Sequence, residues 1–286
     1  MNKFVKNLSV IAPTIVLSSV VSCTNYSQKT SLDKYIDKSK DIVPAVENSQ
    51  EVNTKKILDV LIKANFRSES AKVNYFNQMK DPEHIKQIEE GLKQFSNEWT
   101  KAKKNQNNDK LDELVKSMEA FYSLNWYYVL SNLDKFKLDF YKWFTFPKGK
   151  NGDHSDKYKE TISNLSMPDL SKVQFGNDYL SEIKEGEESA ELLDKDIFYL
   201  LKDKNVFRIS INDAVSERPK ILLKPYVWSF ANSKASKISL NLISNVVHSA
   251  FIHGDQEGFD RLENDLVVKF RYGIPAVAIM LYKGVE

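Results

Sequence analysis

The residues best suited to chemistry lie together near the C-terminal end of the sequence. They are His248, His253 and Asp255 in the run HSAFIHGD, with Asp260 a few positions later. Two imidazoles and two carboxylates could bind a divalent metal, or act as acid and base in a surface hydrolase. Positions 248 and 253, however, point to opposite faces of a strand and lie about 140° apart around a helix. The two rings therefore converge only if the chain bends between them.

The rest of the sequence carries no familiar catalytic motif. It has no GxSxG elbow, GxxxxGK phosphate loop, GxGxxG turn, HExxH metal site or EF-hand loop. His84 lies in the first turn of a predicted helix and His154 in a polar turn, so both are expected to be solvated. Asp153 and Asp156 lack the spacing of a calcium loop and are expected in a solvated turn. We therefore predict a non-enzymatic protein with no cofactor and no bound metal.

The single cysteine, Cys23, indicates a different chemistry. It follows Lys3, Lys6 and an apolar run from Leu8 to Val21, which is the arrangement of a secretory signal. The run VVSC that ends at Cys23 resembles a bacterial lipobox, and this resemblance implies diacylglycerol transfer to the cysteine sulfur and cleavage before it. Two acyl chains hold a protein stably at a membrane, whereas one gives reversible binding. The alternatives are an ordinary cleaved signal followed by an incidental cysteine, or a buried structural cysteine.

Hydropathy predicts where the protein is located, and net charge limits the partners that it is expected to bind. The apolar run is shorter than the ~20 residues of a membrane-spanning helix, and no second run of that length follows. We therefore predict a protein anchored through Cys23 on the extracellular face of the cell membrane. The sequence has 41 Lys and Arg against 39 Asp and Glu, and loss of Lys3 and Lys6 leaves 39 of each. A neutral chain argues against nucleic acid, because phosphate neutralisation supplies most of that affinity.

Composition and periodicity divide the chain into five predicted segments. They are a signal peptide (1–22), a flexible tether (23–52), a helical domain (53–147), an irregular connection (148–178) and an α+β domain (179–286). The fold class that we predict is α+β, with an N-terminal antiparallel helical bundle followed by a smaller part of mixed helices and antiparallel sheet.

Apolar spacing predicts the elements inside these segments. Helices are expected from residue 54, from Asp81-Pro82-Glu83, from Leu111, and over 190–201 and 259–270. The acidic segment 182–196 is expected to form a solvated helix face. Strands are expected at 205–213, 220–230, 237–244 and 274–283. Pro225 places its strand at a sheet edge or a bulge.

Aromatic residues concentrate in FYSLNWYYVLSNLDKFKLDFYKWFTFP, residues 121–147. Eleven of these 27 residues are aromatic, a third of the 33 in the chain. Seven positions with 4-3-4-3-4-3 spacing form one helical stripe: Tyr122, Trp126, Val129, Leu133, Phe136, Phe140 and Trp143. Such a stripe needs a partner surface, so we expect it to be core. A strand is the alternative from residue 136 onward, where apolar residues also alternate.

Three tyrosines lie off this stripe and are the predicted partner contacts: Tyr127, Tyr128 and Tyr141. Tyrosine combines a large apolar ring with a hydroxyl group and is enriched at protein interfaces. The partner would be a host or surface protein, or a small ligand. The sequence leaves the oligomeric state open.

The segment NWYYVLSNLDKFKLDFYKWFTFP also resembles the signature of the mycoplasma lipoproteins called aromatic motif membrane proteins. Its Asn-Trp-Tyr start, Asn-Leu-Asp-Lys-Phe centre and Trp-containing end before Pro147 carry the resemblance. The Lys-, Asn- and Ile-rich, Arg-poor composition agrees with such a source. The resemblance implies a surface-exposed lipoprotein, and it brings no established activity and no catalytic residues.

Three functions follow as hypotheses. The leading one is a lipid-anchored surface protein for adhesion to, or interaction with, host or surface molecules. The alternative is a solute-binding lipoprotein that captures a ligand for a transporter. The third is the surface hydrolase that would use His248, His253 and Asp255.

Overall fold

Helices lie on both sides of an antiparallel sheet in the computed structural model. The structure describes residues 50–146, 148, 152–173, 175, 182–185, 195–212, 220–247, 259 and 263–284. The α-helices are α1 (Gln50–Asn65), α2 (Glu69–Lys80), α3 (Pro82–Lys104), α4 (Asn108–Leu124), α5 (Trp126–Ser131), α6 (Asp156–Ser163) and α7 (Leu240–Val247). Two 3-10 turns (Leu133–Lys135 and Leu170–Lys172) and a π-helix (Glu263–Lys269) complete this set. The predicted α+β class is confirmed, and α6 lies inside the segment predicted to be irregular.

Among the residues that the structure describes, seven strands form the sheet. They are β1 (Phe136–Trp143), β2 (Glu182–Glu185), β3 (Lys195–Lys202), β4 (Asn205–Asn212), β5 (Lys220–Leu223), β6 (Tyr226–Ser229) and β7 (Ala276–Tyr282). Six of them follow the order β1-β7-β6-β4-β3-β2, while β5 pairs with β4, and every pairing is antiparallel. Because β1 pairs along β7, the predicted helical domain and the predicted α+β domain both contribute to this sheet.

Pro225 divides the strand predicted at 220–230 into β5 and β6. The proline has no N–H to donate to a ladder. Its carbonyl instead accepts a hydrogen bond from the backbone N–H of Met280 at 2.9 Å. β6 pairs with the first residues of β4 and β5 with the last ones, so both strands line one edge of β4.

Capping explains where α3 begins. The Asp81 carboxylate accepts a hydrogen bond from the Glu83 backbone N–H at 3.1 Å, and Pro82 is the first helical residue. Leu92 and Trp99 of this helix are buried, as the apolar spacing predicts. The second predicted helix therefore has the predicted start and the predicted core face.

The helix predicted through the aromatic stretch is interrupted twice, and this prediction is wrong beyond residue 131. The Asn125 side chain donates to the Phe121 carbonyl at 2.9 Å, and the Asn132 side chain donates to the Tyr128 carbonyl at 2.8 Å. Asparagine side chains compete with the backbone for hydrogen bonds in this way and favour helix ends. After the second break the chain enters β1, so the strand alternative is correct from Phe136.

Three further elements differ from their predicted type. The chain over 195–202, expected as helix, is β3, because a tight turn with Asp203 at φ 53° pairs it with β4. The segment 237–244, expected as strand, enters α7, whose start is capped by the Ser239 hydroxyl accepting from the Leu242 N–H at 3.3 Å. The acidic residues 182–185 form β2 and not a helix.

The sheet buries a core on each face. On one face, Phe198 of β3 lies opposite Ile209 of β4 in a core shared with α1, α3 and α4. On the other face, Tyr199 of β3 belongs to a core shared with α6, α7 and the π-helix. The Tyr122 hydroxyl of α4 donates to the Met280 carbonyl of β7 at 2.5 Å. The N-terminal helices are therefore fastened directly to the sheet.

Candidate functional site

Aromatic rings from α2, from α5 and from the connection between α1 and α2 meet in one group. We call this group the aromatic cluster: Phe66, Tyr75, Phe76, Trp126 and Tyr127. Phe76 of α2 meets Tyr127 of α5 edge-on with ring centroids 4.8 Å apart, and Phe66 lies 5.2 Å from Tyr75. Tyr75 and Trp126 lie within 13° of parallel, with centroids 6.2 Å apart. Aromatic pairs in this range add about 0.5–1.5 kcal/mol beyond area burial, so the rings hold α2 against the rest of the protein.

One side of the aromatic cluster is open to solvent. Phe76 and Tyr127 are partly buried, and α2 has no buried residue along its length. Leu124 is 69% exposed, and its carbonyl accepts a hydrogen bond from the Tyr75 hydroxyl at 3.3 Å. Val73 is 46% exposed and lies one helical turn from Phe76. Val73, Phe76, Leu124 and Tyr127 together form what we call the exposed rim.

Beneath the exposed rim, several polar atoms are buried without a partner. Trp126 Nε1, Asn125 Oδ1 and Asn65 Oδ1 have no hydrogen-bond partner among the described residues. Asn125 and Trp126 are only 2% and 1% exposed. Leaving such a group unpaired costs about 1–3 kcal/mol. Burial also raises the pKa of Tyr75, so its hydroxyl stays a neutral donor.

Tyr128, predicted as a partner contact, is buried, and that prediction is wrong. Its side chain is 5% exposed, and its hydroxyl donates to Glu89 Oε1 at 2.6 Å. Lys135 Nζ donates to the same carboxylate oxygen at 2.9 Å. These contacts, led by the Tyr128 hydrogen bond, lower the pKa of Glu89 to about 2. Tyr128 therefore belongs to an internal polar network that joins α3 to α5.

Tyr141 is partly exposed, but its hydroxyl and its ring already contact other residues of the protein. It is the additional residue in a β-bulge of β1, between Phe140 and Lys142. Its hydroxyl contacts the Asp112 carboxylate, and its ring meets Trp99 edge-on at 5.3 Å. Burial and the neighbouring carboxylate both raise the pKa of Tyr141. Of the three predicted contact tyrosines, Tyr127 is the one that lies in the aromatic cluster and on its exposed rim.

The predicted core stripe is buried over most of its length. Five of its members are at most 1% exposed: Tyr122, Trp126, Val129, Leu133 and Phe136. Phe140 and Trp143 are partly buried. Phe136 and Phe140 face the core shared with α1, α3 and α4, whereas Trp143 packs against the core on the other face of the sheet. The seven residues therefore do not form one continuous stripe.

His154 has a buried acidic partner, which corrects the expectation that it is solvated. Its Nδ1 contacts the Glu263 carboxylate, which is 0% exposed, and its ring stacks on Tyr158 at 4.3 Å. The Ser155 backbone N–H donates to the other Glu263 oxygen at 2.9 Å. Both carboxylate oxygens are therefore paired, and the arrangement fastens the start of α6 to the π-helix.

Sequence reasoning missed this pair and half of the aromatic cluster. Glu263 shares helical spacing with Phe259, Leu266 and Phe270, so a carboxylate on an apolar face was a visible signal. Its histidine partner lies 109 residues away and gave no local signal. The rings of α2 were missed because a helix without a buried residue has little apolar periodicity.

The other residues predicted to carry chemistry lie outside the part of the chain that the structure describes. Cys23, His248, His253, Asp255 and Asp260 lie outside the described residues. In the part of the chain that is described, no three His, Cys, Asp or Glu side chains are grouped to hold a metal. No helix in that part is both long enough and apolar enough to cross a membrane.

The fold and the aromatic cluster define a class: a protein with grouped aromatic side chains, carried by helices that pack on an antiparallel sheet. The family model described as aromatic cluster surface protein matches residues 34–273, well over half of the chain. The chain therefore belongs to the aromatic cluster surface protein family. No curated protein and no solved structure matches it.

Proposed function

We propose that this protein is a lipoprotein, held on the extracellular face of the cell membrane by a diacylglyceryl group on Cys23. In this proposal it catalyses no reaction and contacts host or neighbouring surface molecules through the exposed rim of the aromatic cluster. The family match supports the surface location, and the VVSC sequence supports the anchor.

The observation that carries the contact proposal is the exposed rim itself. It places two exposed aliphatic side chains, Leu124 and Val73, beside two partly buried aromatic rings, Phe76 and Tyr127. Contiguous apolar surface of this kind marks interaction sites on soluble domains, and aromatic residues concentrate at interface centres. Tyr141 is a weaker candidate, because its hydroxyl already contacts Asp112.

Adhesion of particles coated with the full-length protein tests the contact surface. Leu124→Ser combined with Tyr127→Ser is expected to reduce attachment to host-cell monolayers by at least about tenfold, as loss of interface anchors does. Met167→Ser is the matched control, because Met167 is also 69% exposed and its neighbour Leu165 packs against the core on the opposite face of the sheet from Tyr127. Equal attachment by all variants, or an equal loss with Met167→Ser, would show that the rim is not the contact surface.

Processing of Cys23→Ala tests the anchor separately. The variant is expected to incorporate no radiolabelled palmitate and to leave the detergent-rich phase of a detergent partition, because no thiol remains to accept the diacylglycerol. A variant that is still labelled and still partitions with detergent would contradict the proposed anchor and leave the contact surface unaffected.

A further inference from the structure

The exposed rim protrudes at a bend between two helices. Leu124 is the last residue of α4 and Trp126 is the first residue of α5, so the Leu124 side chain lies where the chain turns from one helix into the next. It is 69% exposed, and Val73 of the neighbouring α2 is 46% exposed. A protruding aliphatic side chain needs a matching pocket on a protein partner, whereas a lipid bilayer accepts it without one.

The sequence around Leu124 and Tyr127 is uncharged, and the helix beside it is basic. The 14 residues over 120–133 include no Asp, Glu, Lys or Arg. Residues 66–80, which contain α2, have three basic side chains and one acidic, a net charge of +2: Arg67, Lys72, Lys80 and Glu69. Asp81, the next residue, caps α3. Segments that enter a bilayer surface combine an apolar tip, interfacial tyrosine or tryptophan and flanking basic residues, and anionic headgroups attract the basic ones.

The aromatic cluster lies at the opposite end of α1 from the residue that leads back to Cys23. α1 begins at Gln50 and ends at Asn65, and the next residue, Phe66, belongs to the cluster. The 16 residues of this helix span about 24 Å. Between Cys23 and Gln50 lie 26 residues, which reach at most roughly 90 Å when extended. The proposed anchor thus holds the protein by one end of α1 and allows the exposed rim, near the other end, to face an apposed membrane.

We propose that the exposed rim binds the lipid bilayer of an apposed cell, with Leu124 and Val73 entering its apolar boundary and Tyr127 lying at the level of the headgroups. This inference rests on the proposed contact role of the rim, and it names lipid as the molecule contacted. The four side chains of the rim are few beside the about 20–30 residues that each partner contributes to a stable protein interface. A bilayer contact can be small in each copy, because many copies anchored in one membrane act together.

Capture of protein-free fluorescent vesicles by particles that carry the full-length protein, fixed by its N-terminus, tests this inference. Vesicles of phosphatidylcholine and phosphatidylserine in equal parts are expected to be captured, and less so as the salt concentration rises. Val73→Ser combined with Leu124→Ser is expected to reduce capture by at least about tenfold, because the apolar surface that the bilayer would cover is lost. The matched control combines Ile162→Ser with Met167→Ser, at positions 42% and 69% exposed, and is expected to capture vesicles normally.

Vesicle capture and attachment to host cells together separate this inference from the proposed function. Absence of vesicle capture by the unaltered protein, or equal capture by the two double variants, would overturn the lipid inference. If Leu124→Ser with Tyr127→Ser still loses attachment to cells in that case, the rim contacts a protein and the proposed function stands. Vesicle capture that depends on the rim, together with unaltered attachment to cells, would support lipid binding and contradict the adhesive role.

Discussion

Replacing Tyr128 by phenylalanine is expected to weaken the protein at neutral pH and to matter less in acid. The hydroxyl donates to the Glu89 carboxylate at 2.6 Å and is the largest cause of the low pKa of that group. A fall from the ordinary value of 4.5 to about 2 corresponds to at most about 3.4 kcal/mol of stability. Glu89 is 27% exposed and keeps Lys135 as a partner, so the contribution of the hydroxyl is about 1–2 kcal/mol.

The sign of the pH effect follows from the direction of the shift. Because the folded state holds the pKa of Glu89 low, the stabilisation is present above about pH 4.5 and is lost as the pH falls toward 2. Urea unfolding of wild type and Tyr128→Phe should therefore differ more at about pH 6 than at about pH 3. Tyr127→Phe is the matched control and should change stability by less than about 0.5 kcal/mol. A Tyr128→Phe loss that is absent at the higher pH, or constant over this range, would refute the reasoning.

Two further substitutions test the packing. Glu263→Ala should lower the unfolding free energy in urea by about 3–5 kcal/mol, because it removes one partner of a buried pair. Glu113→Ala, the control, breaks an exposed pair with Lys110 and should lower it by about 0–1 kcal/mol. Similar losses in the two variants would contradict the buried role of Glu263. Gly91→Ala should cost about 1–3 kcal/mol by thermal unfolding, since a Cβ there would lie 2.6 Å from Phe121 Cζ. Phe121→Leu should recover part of that loss, and no recovery would mean that the ring is not the obstacle.

The sequence correctly predicts those elements whose ends are fixed by interactions between neighbouring residues. Asp81 and Pro82 mark the start of α3 because capping needs only neighbouring residues. The alternation of Phe207, Ile209 and Ile211 with polar residues predicts β4, because these three side chains face one core while Arg208 and Ser210 lie on the other face of the strand. Elements whose type is decided by a distant partner were predicted incorrectly. The chain over 195–202 has helical spacing, yet pairing with β4 makes it a strand.

In the candidate site, too, the positions of single residues depend on distant partners that the sequence pattern does not reveal. Tyr127 and Tyr128 are neighbours of one type, but a helix turns about 100° between them. One ring consequently lies on the exposed rim, while the other reaches Glu89 on α3. Their assignment depends on where α3 packs, which no local pattern specifies. The family motif identified the α5 half of the aromatic cluster, and the α2 half became visible only in three dimensions.

The position of β7 has a consequence for how the protein is made. This strand lies between β1 and β6, and its pairing joins Phe136 to Tyr282 and Trp143 to Ala276, contacts between residues far apart in sequence. Such pairings slow folding, because a long loop must close before they form. The sheet is incomplete until residues 276–282 have been synthesised. Under the lipoprotein proposal, export before β7 has paired would keep the sheet open during transport, and the sheet would close around β7 afterwards.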